Sequence, residues 1–151
     1  VSIAEEVECL RRIPLFANVD VAKLKLLAFT SERVTFKPGE TLFHQDEMGS
    51  AAYIVLDGEA EVLVRTPEGP RPVAVLGRSE IIGEIAILCD VPRTATVRAR
   101  SHLVTLCVSK DLFFRLVAEF PQMAMQIMRV LAQRLDNTTR QLREALSQHG
   151  A

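Results

Sequence analysis

From about Ser31 to Ser109 the chain is a succession of short β-prone runs, each closed by a turn signal. This pattern constrains the fold more than any other feature of the sequence. The runs cover residues 33–36, 41–44, 52–56, 60–65, 73–76, 94–99 and 103–108. Pro38-Gly39, Met48-Gly49-Ser50, Asp57-Gly58, the stretch from Pro67 to Pro72, and Gly77 stand between them. Closely spaced strands joined by glycine-rich turns point to an antiparallel barrel or sandwich rather than a parallel βαβ sheet.

Helical periodicity flanks this region on both sides. Ser2 and Glu5 have the spacing of a capping box, and Ile3, Val7 and Leu10 then share a face until Pro14 stops the helix. Asp20 is placed to cap a second short helix in which Val21, Leu24, Leu27 and Ala28 fall together. Ser109 caps a third, running through Phe120, and Pro121 opens a fourth that extends to about Gln148. In that last helix Met128, Leu131, Leu135 and Leu142 trace a heptad seam, continued by the poorer Thr138 and Ala145. So short a seam is expected to pack on its own barrel, on a twin, or on both.

The 151 residues are 48% hydrophobic and 25% charged, enough for one domain with a real core. Residues 1–151 are therefore expected to form a single domain, with helices over 1–30, the β region over 31–109 and helices over 110–148. Eighteen basic against nineteen acidic residues give a net charge of −1, which offers no basic footprint for nucleic acid. No apolar run has the length of a membrane span, and the N-terminus lacks the layout of a signal peptide, so a cytoplasmic location is expected, or the cytoplasmic face of a membrane protein if the chain is a fragment. Without a methionine at Val1, the chain is expected to be a piece of something larger. Cys9, Cys89 and Cys107 are odd in number, lack metal-type spacing and stand among apolar neighbours, which reads as reduced core residues.

The candidate chemistry lies in residues 81–97, whose period suits no continuous strand. Gly83 interrupts the apolar run, residues 84–88 can form about one helical turn, and Pro92 closes the connection before Thr94. A glycine lets backbone approach a ligand closely, and the first amides of a helical turn lack internal partners and favour an anion. Arg93, arriving just after, adds a planar fork of donors suited to phosphate. Glu84 is out of place beside an anion unless it accepts a hydrogen bond from a sugar hydroxyl while Arg93 neutralises the phosphate. Either feature alone would read as a surface turn or a solvated side chain; the ordered combination within a β-rich chain reads as a nucleotide site.

The stretch from Gly83 to Leu88, followed by Pro92-Arg93-Thr94-Ala95-Thr96-Val97-Arg98-Ala99, closely resembles the phosphate-binding cassette of the cyclic nucleotide-binding domain family. That family includes catabolite activator-type transcription factors, regulatory subunits of cyclic-AMP-dependent kinase, and cyclic-nucleotide-gated channels. Pro14-Leu15-Phe16, Pro38-Gly39-Glu40, the run from Gly49 through Val55 to Gly58, and Leu76-Gly77 extend the similarity over nearly the whole chain. The resemblance implies a jelly-roll-like antiparallel β-roll of about eight strands, with N-terminal helices and a C-terminal helix as lid. It implies that Arg93 contacts the cyclic phosphate and Glu84 the ribose 2′-hydroxyl, with Gly83, Ile85 and Ala86 contributing backbone groups. Thr94 and Ala95 follow the arginine as in the family, and Val62, Ala74 and Leu76 would lie near the base. Arg134 occupies the place of a lid residue that reaches the purine in some members.

The resemblance therefore implies a regulatory domain that binds a 3′,5′-cyclic nucleotide. Cyclic AMP is favoured, Thr94 keeps cyclic GMP open, and the last helix would transmit binding to an attached domain or subunit. A homodimer through that helix is a further expectation. A degenerate domain serving only protein interaction is the alternative, although such a copy is expected to lose Arg93 or Glu84. Enzyme chemistry is disfavoured: His44, His102 and His149 form no H-x-H pair for a cupin-type metal, and no nucleophile–base arrangement is suggested. No metal, cofactor or catalytic residue is expected, nor direct nucleic-acid binding. Ile82 stands where the family often has an aromatic, and no helix-turn-helix segment follows the last helix.

Overall fold

The computed structural model describes residues 2–149; Val1, Gly150 and Ala151, ends of the expected single domain, lie outside the described residues, as does the His149 side chain. The order is α1 (Ile3–Arg11), a 3-10 turn (Pro14–Phe16), α2 (Val21–Thr30), and β1 (Glu32–Phe36), β2 (Thr41–Phe43), β3 (Ala51–Asp57), β4 (Ala60–Thr66), β5 (Gly69–Leu76) and β6 (Ile81–Ile82). Then come α3 (Glu84–Cys89), β7 (Thr96–Ala99), β8 (Leu103–Ser109), α4 (Lys110–Glu119) and α5 (Pro121–His149). The caps read from the sequence form: Ser2 accepts from the Glu5 amide, Asp20 from that of Ala22, and Ser109 from that of Leu112.

The strands make two four-stranded sheets, in the orders β1-β8-β3-β6 and β2-β7-β4-β5, and all their pairings are antiparallel. This is the β-roll with flanking helices. Alternation along β3 and β8 divides the interior in two, because successive side chains leave a strand on opposite faces. Ala52, Ile54, Leu56, Leu106 and Val108 pack with Leu10, Leu24, Phe113, Met123 and Ile127 of the helices. On the other face Val55 and Leu103 join Ala60, Ile82, Val97 and Ala99 inside the roll, with Phe36, Phe43 and Tyr53 against them.

Several expectations change. Ile81–Ile82 is a strand of its own, paired with Tyr53 and Ile54. Residues 69–72, read as turn, belong to β5, opposite β4 from Thr66 to Leu63. Pro70 and Pro72 are tolerated there because β5 is an edge strand, and two prolines of equal parity withhold their missing donors on one side. Thr94 and Ala95 are bent backbone rather than strand. Cysteine burial was misjudged in part: Cys9 is buried, but Cys89 at the end of α3 is exposed and Cys107 half-buried, although all three are free.

The last helix is anchored only by its first half. Met123 and Ile127 are buried and Val130 and Leu131 half-buried, whereas everything from Ala132 to Gln148 is exposed. Among the described residues no helix is long and apolar enough to cross a membrane.

Candidate functional site

A cavity of about 390 Å3 opens between the β2-β7-β4-β5 sheet, the segment 81–86 and α5. That is within the size range of small-molecule sites. The chain path explains how the segment enters it. Gly83 adopts φ +83°, a left-handed conformation that a side chain resists, and so turns β6 abruptly into α3. Seven residues later Asp90 also turns left-handed and ends the helix. The connection then returns toward the sheet, where Pro92 pairs with Met48.

Arg93 is fixed at both ends. Its amide donates to the Glu47 carbonyl (2.7 Å) and its own carbonyl accepts from the Asp46 amide (2.8 Å), which ties the backbone to the β2–β3 loop. Its side chain is turned inward and only 5% of the residue is exposed. Nη1 donates to the Gly83 carbonyl (2.8 Å) and Nη2 to the Ala51 carbonyl (2.6 Å). Two carbonyls occupy two of the five guanidinium donors. Burial lowers the Arg93 pKa from its ordinary value, while the nearby Tyr53, Glu47, Cys107 and Glu84 act in the opposite sense. Among the described residues no carboxylate lies within ion-pair distance of it.

Glu84, the first residue of α3, is also buried, at 4% exposure. Its carboxylate accepts from Nη1 of Arg134, which reaches over from α5 and remains half-exposed. A buried anion and a buried cation therefore line one cavity without being paired to each other.

The cavity walls include Gly83, Glu84, Ile85, Ala86, Arg93, Thr94 and Ala95, and on the sheet side Val62 and Leu76, with Arg134 from the helix. Ala74 is not among them; it is the cross-strand partner of Val62 on β5 but is exposed. Phe43, Ile81, Ile82 and Val97 also line the cavity. Ile81, Ile82 and Val97 belong to the segment 81–97 singled out from the sequence, although no contact was assigned to them individually, whereas Phe43 was not singled out. Phe43 carries no local mark, since its place is set by strand pairing with Val97. The described residues contain no cluster of three or more His, Cys, Asp or Glu that could hold a metal ion.

The profile of the family described as "Cyclic nucleotide-binding domain" matches residues 33–120, more than half of the chain and the span that holds every lining residue of this site but Arg134. A CRP-like cAMP-activated global transcriptional regulator of Mycobacterium tuberculosis is 28% identical over 140 residues, 92% of this chain and 62% of that protein. The cAMP-dependent protein kinase regulatory subunit of Yarrowia lipolytica is 34% identical over 108 residues, 72% of this chain but 28% of its own length. The chain thus spans less than two thirds of either relative. The solved N-terminal domain of a transcriptional regulator from Streptomyces coelicolor A3(2) superposes with a TM-score of 0.73 at 35% identity, covering 86% of this chain and 94% of that one. By sequence and by fold, this chain belongs to the cyclic nucleotide-binding domain family.

Proposed function

We propose that the cavity binds a 3′,5′-cyclic nucleotide, with Arg93 taking the cyclic phosphate and Glu84 the ribose 2′-hydroxyl. The observation that carries the reading is that two buried charges, not paired to each other, line one cavity together with the apolar Val62, Leu76 and Val97. A cation without a carboxylate partner suits an anionic ligand, and a carboxylate suits a hydroxyl donor. Gly83, Ile85, Ala86, Thr94 and Ala95 surround the sugar-phosphate, and Val62 and Leu76 receive the base, with Ala74 at the outer rim.

Cyclic AMP is the favoured ligand, because both relatives above are named for it. Thr94, whose hydroxyl can meet a purine, keeps cyclic GMP in the comparison. The reading assigns regulation rather than catalysis, with no metal or cofactor. Residues 1–151 act as one sensing unit, with 81–97 as its ligand-binding segment. Binding is transmitted along α5, since Arg134 already links that helix to the cassette through Glu84. An effector domain or subunit receives the signal; with a net charge of −1, this segment does not itself bind nucleic acid. The exposed Met128, Leu135 and Leu142 on α5 form a homodimer contact, and the protein works in the cytoplasm.

Calorimetric titration with cyclic AMP and cyclic GMP tests the reading. One saturable site per chain, tighter for cyclic AMP, is expected. Absence of heat and of thermal shift at millimolar nucleotide would instead favour a domain kept only for protein interaction.

A further inference from the structure

The guanidinium of Arg93 is confined by more than its two hydrogen bonds. Its Cζ lies 3.9 Å from the centroid of the Phe43 ring. Two glycines press on it as well: a Cβ at Gly49 would fall 2.7 Å from Cζ, and one at Gly83 only 2.2 Å from Nη1. The Phe43 ring is itself braced by Tyr53, with centroids 6.3 Å apart at 32°. Tyr53 in turn meets Phe36 edge-on at 5.9 Å and 72°.

We infer that Phe43 is a positioning residue for anion recognition, a surface on which Arg93 lies in a fixed plane with its charge intact. This rests on the reading that Arg93 takes the ligand phosphate. Two carbonyls fix Nη1 and Nη2, but a buried cation also needs compensation for lost hydration. A carboxylate would supply that compensation and at the same time neutralise the charge the ligand must meet. The negative face of an aromatic ring stabilises a cation without occupying any of its donors. Arg93 has such a ring and, among the described residues, no carboxylate in ion-pair contact. The glycines complete the slot by allowing the ring and the β6–α3 turn to close on the guanidinium.

The test compares Phe43→Leu, which keeps apolar bulk but removes the ring face, with Phe43→Tyr, which restores a ring. With cyclic AMP as probe, Phe43→Leu should bind about tenfold more weakly, the scale of a desolvated cation–π contact, with its melting curve retained. Phe43→Tyr should bind close to wild type. Equal affinity for Phe43→Leu and wild type overturns the inference. So does equal weakening in both variants, because ring character would then be irrelevant.

If wild type itself fails to bind cyclic AMP, the phosphate reading fails, and the ring contact is judged separately by nuclear magnetic resonance of the ligand-free protein. The same measurement decides if Phe43→Leu does not fold. The Nε–H signal of Arg93, assigned with Arg93→Lys, should be shifted upfield by the ring current and slow to exchange. An unshifted, fast-exchanging signal overturns the positioning role.

Discussion

At the level of single residues, the site depends on two ionisable groups that the fold holds in unusual surroundings. Glu84 is buried yet answered by an exposed helix arginine, so its carboxylate can exchange Arg134 for a sugar hydroxyl or accept from both. Glu84→Ala should weaken cyclic AMP by roughly 1.5–3 kcal/mol, the scale of a hydrogen bond to a charged group. That loss should largely vanish for the 2′-deoxy analogue; titrating both ligands against both proteins checks it. Elsewhere in the roll, partial burial is the largest cause that raises the pKa values of Tyr53 and Cys107. Glu32 raises both further, and Arg93 opposes it in each. A raised folded-state pKa favours folding while the group stays protonated. The contribution is thus complete below the ordinary thiol value of 9.0 and is lost as pH climbs above it. Denaturant midpoints should fall between pH 8 and pH 10, and Cys107→Ser should flatten that decline. An unchanged slope in the variant would remove the thiol from the account.

Among the elements, α3 and α5 carry the functional argument. Gly83 and Asp90, both left-handed, isolate α3 as a short six-residue helix between β6 and the return to Arg93. α5 meets it through Arg134 alone among the described ion pairs joining that helix to the cassette. Arg134→Ala should therefore quicken nucleotide release, as stopped-flow displacement would show; an unchanged off-rate would reject the link. Removing α5 outright is a poorer test, since Met123 and Ile127 belong to the core. Beyond Ala132 the same helix exposes Leu135 at 69% and Leu142 at 58%. A dimer through this face should dissociate in Leu135→Glu/Leu142→Glu, read by sedimentation, while cyclic AMP affinity changes little. The helices were legible because their caps are local: Ser2, Asp20 and Ser109 mark their starts in sequence and in structure. β6 was missed because two residues give no period to read, and its identity comes from pairing with β3. The prolines of β5 misled for a related reason, since only the sheet order reveals an edge.

For the molecule as a whole, the sequence pattern was sufficient to anticipate an antiparallel barrel or sandwich between helices, because alternation, turn glycines and caps all agree, and the family resemblance narrowed it to a β-roll. The candidate site was legible where its residues are contiguous. The segment 81–97 was read as one unit, and its two ends, 81–86 and 93–95 with Val97, line one cavity. Residues joined only through tertiary pairing were legible less well. Phe43, which stacks on Arg93, went unnoticed, and Ala74, grouped with Val62 and Leu76 near the base, is exposed on the edge strand. Cys89 looked apolar by its neighbours but sits on the outer side of a six-residue helix. What the roll does for the site is to bury a cation that has no ionic partner among the described residues, by way of Ala51 on one sheet, Gly83 on the connection and Phe43 on the other sheet. Calorimetry of cyclic AMP binding to wild type and Arg93→Ala tests that claim most directly. The account predicts saturable binding to wild type and a loss of about 2–5 kcal/mol in the variant, the range for removing one side of a buried charged contact. Equal binding by the two proteins, or none by wild type at millimolar nucleotide, would contradict it.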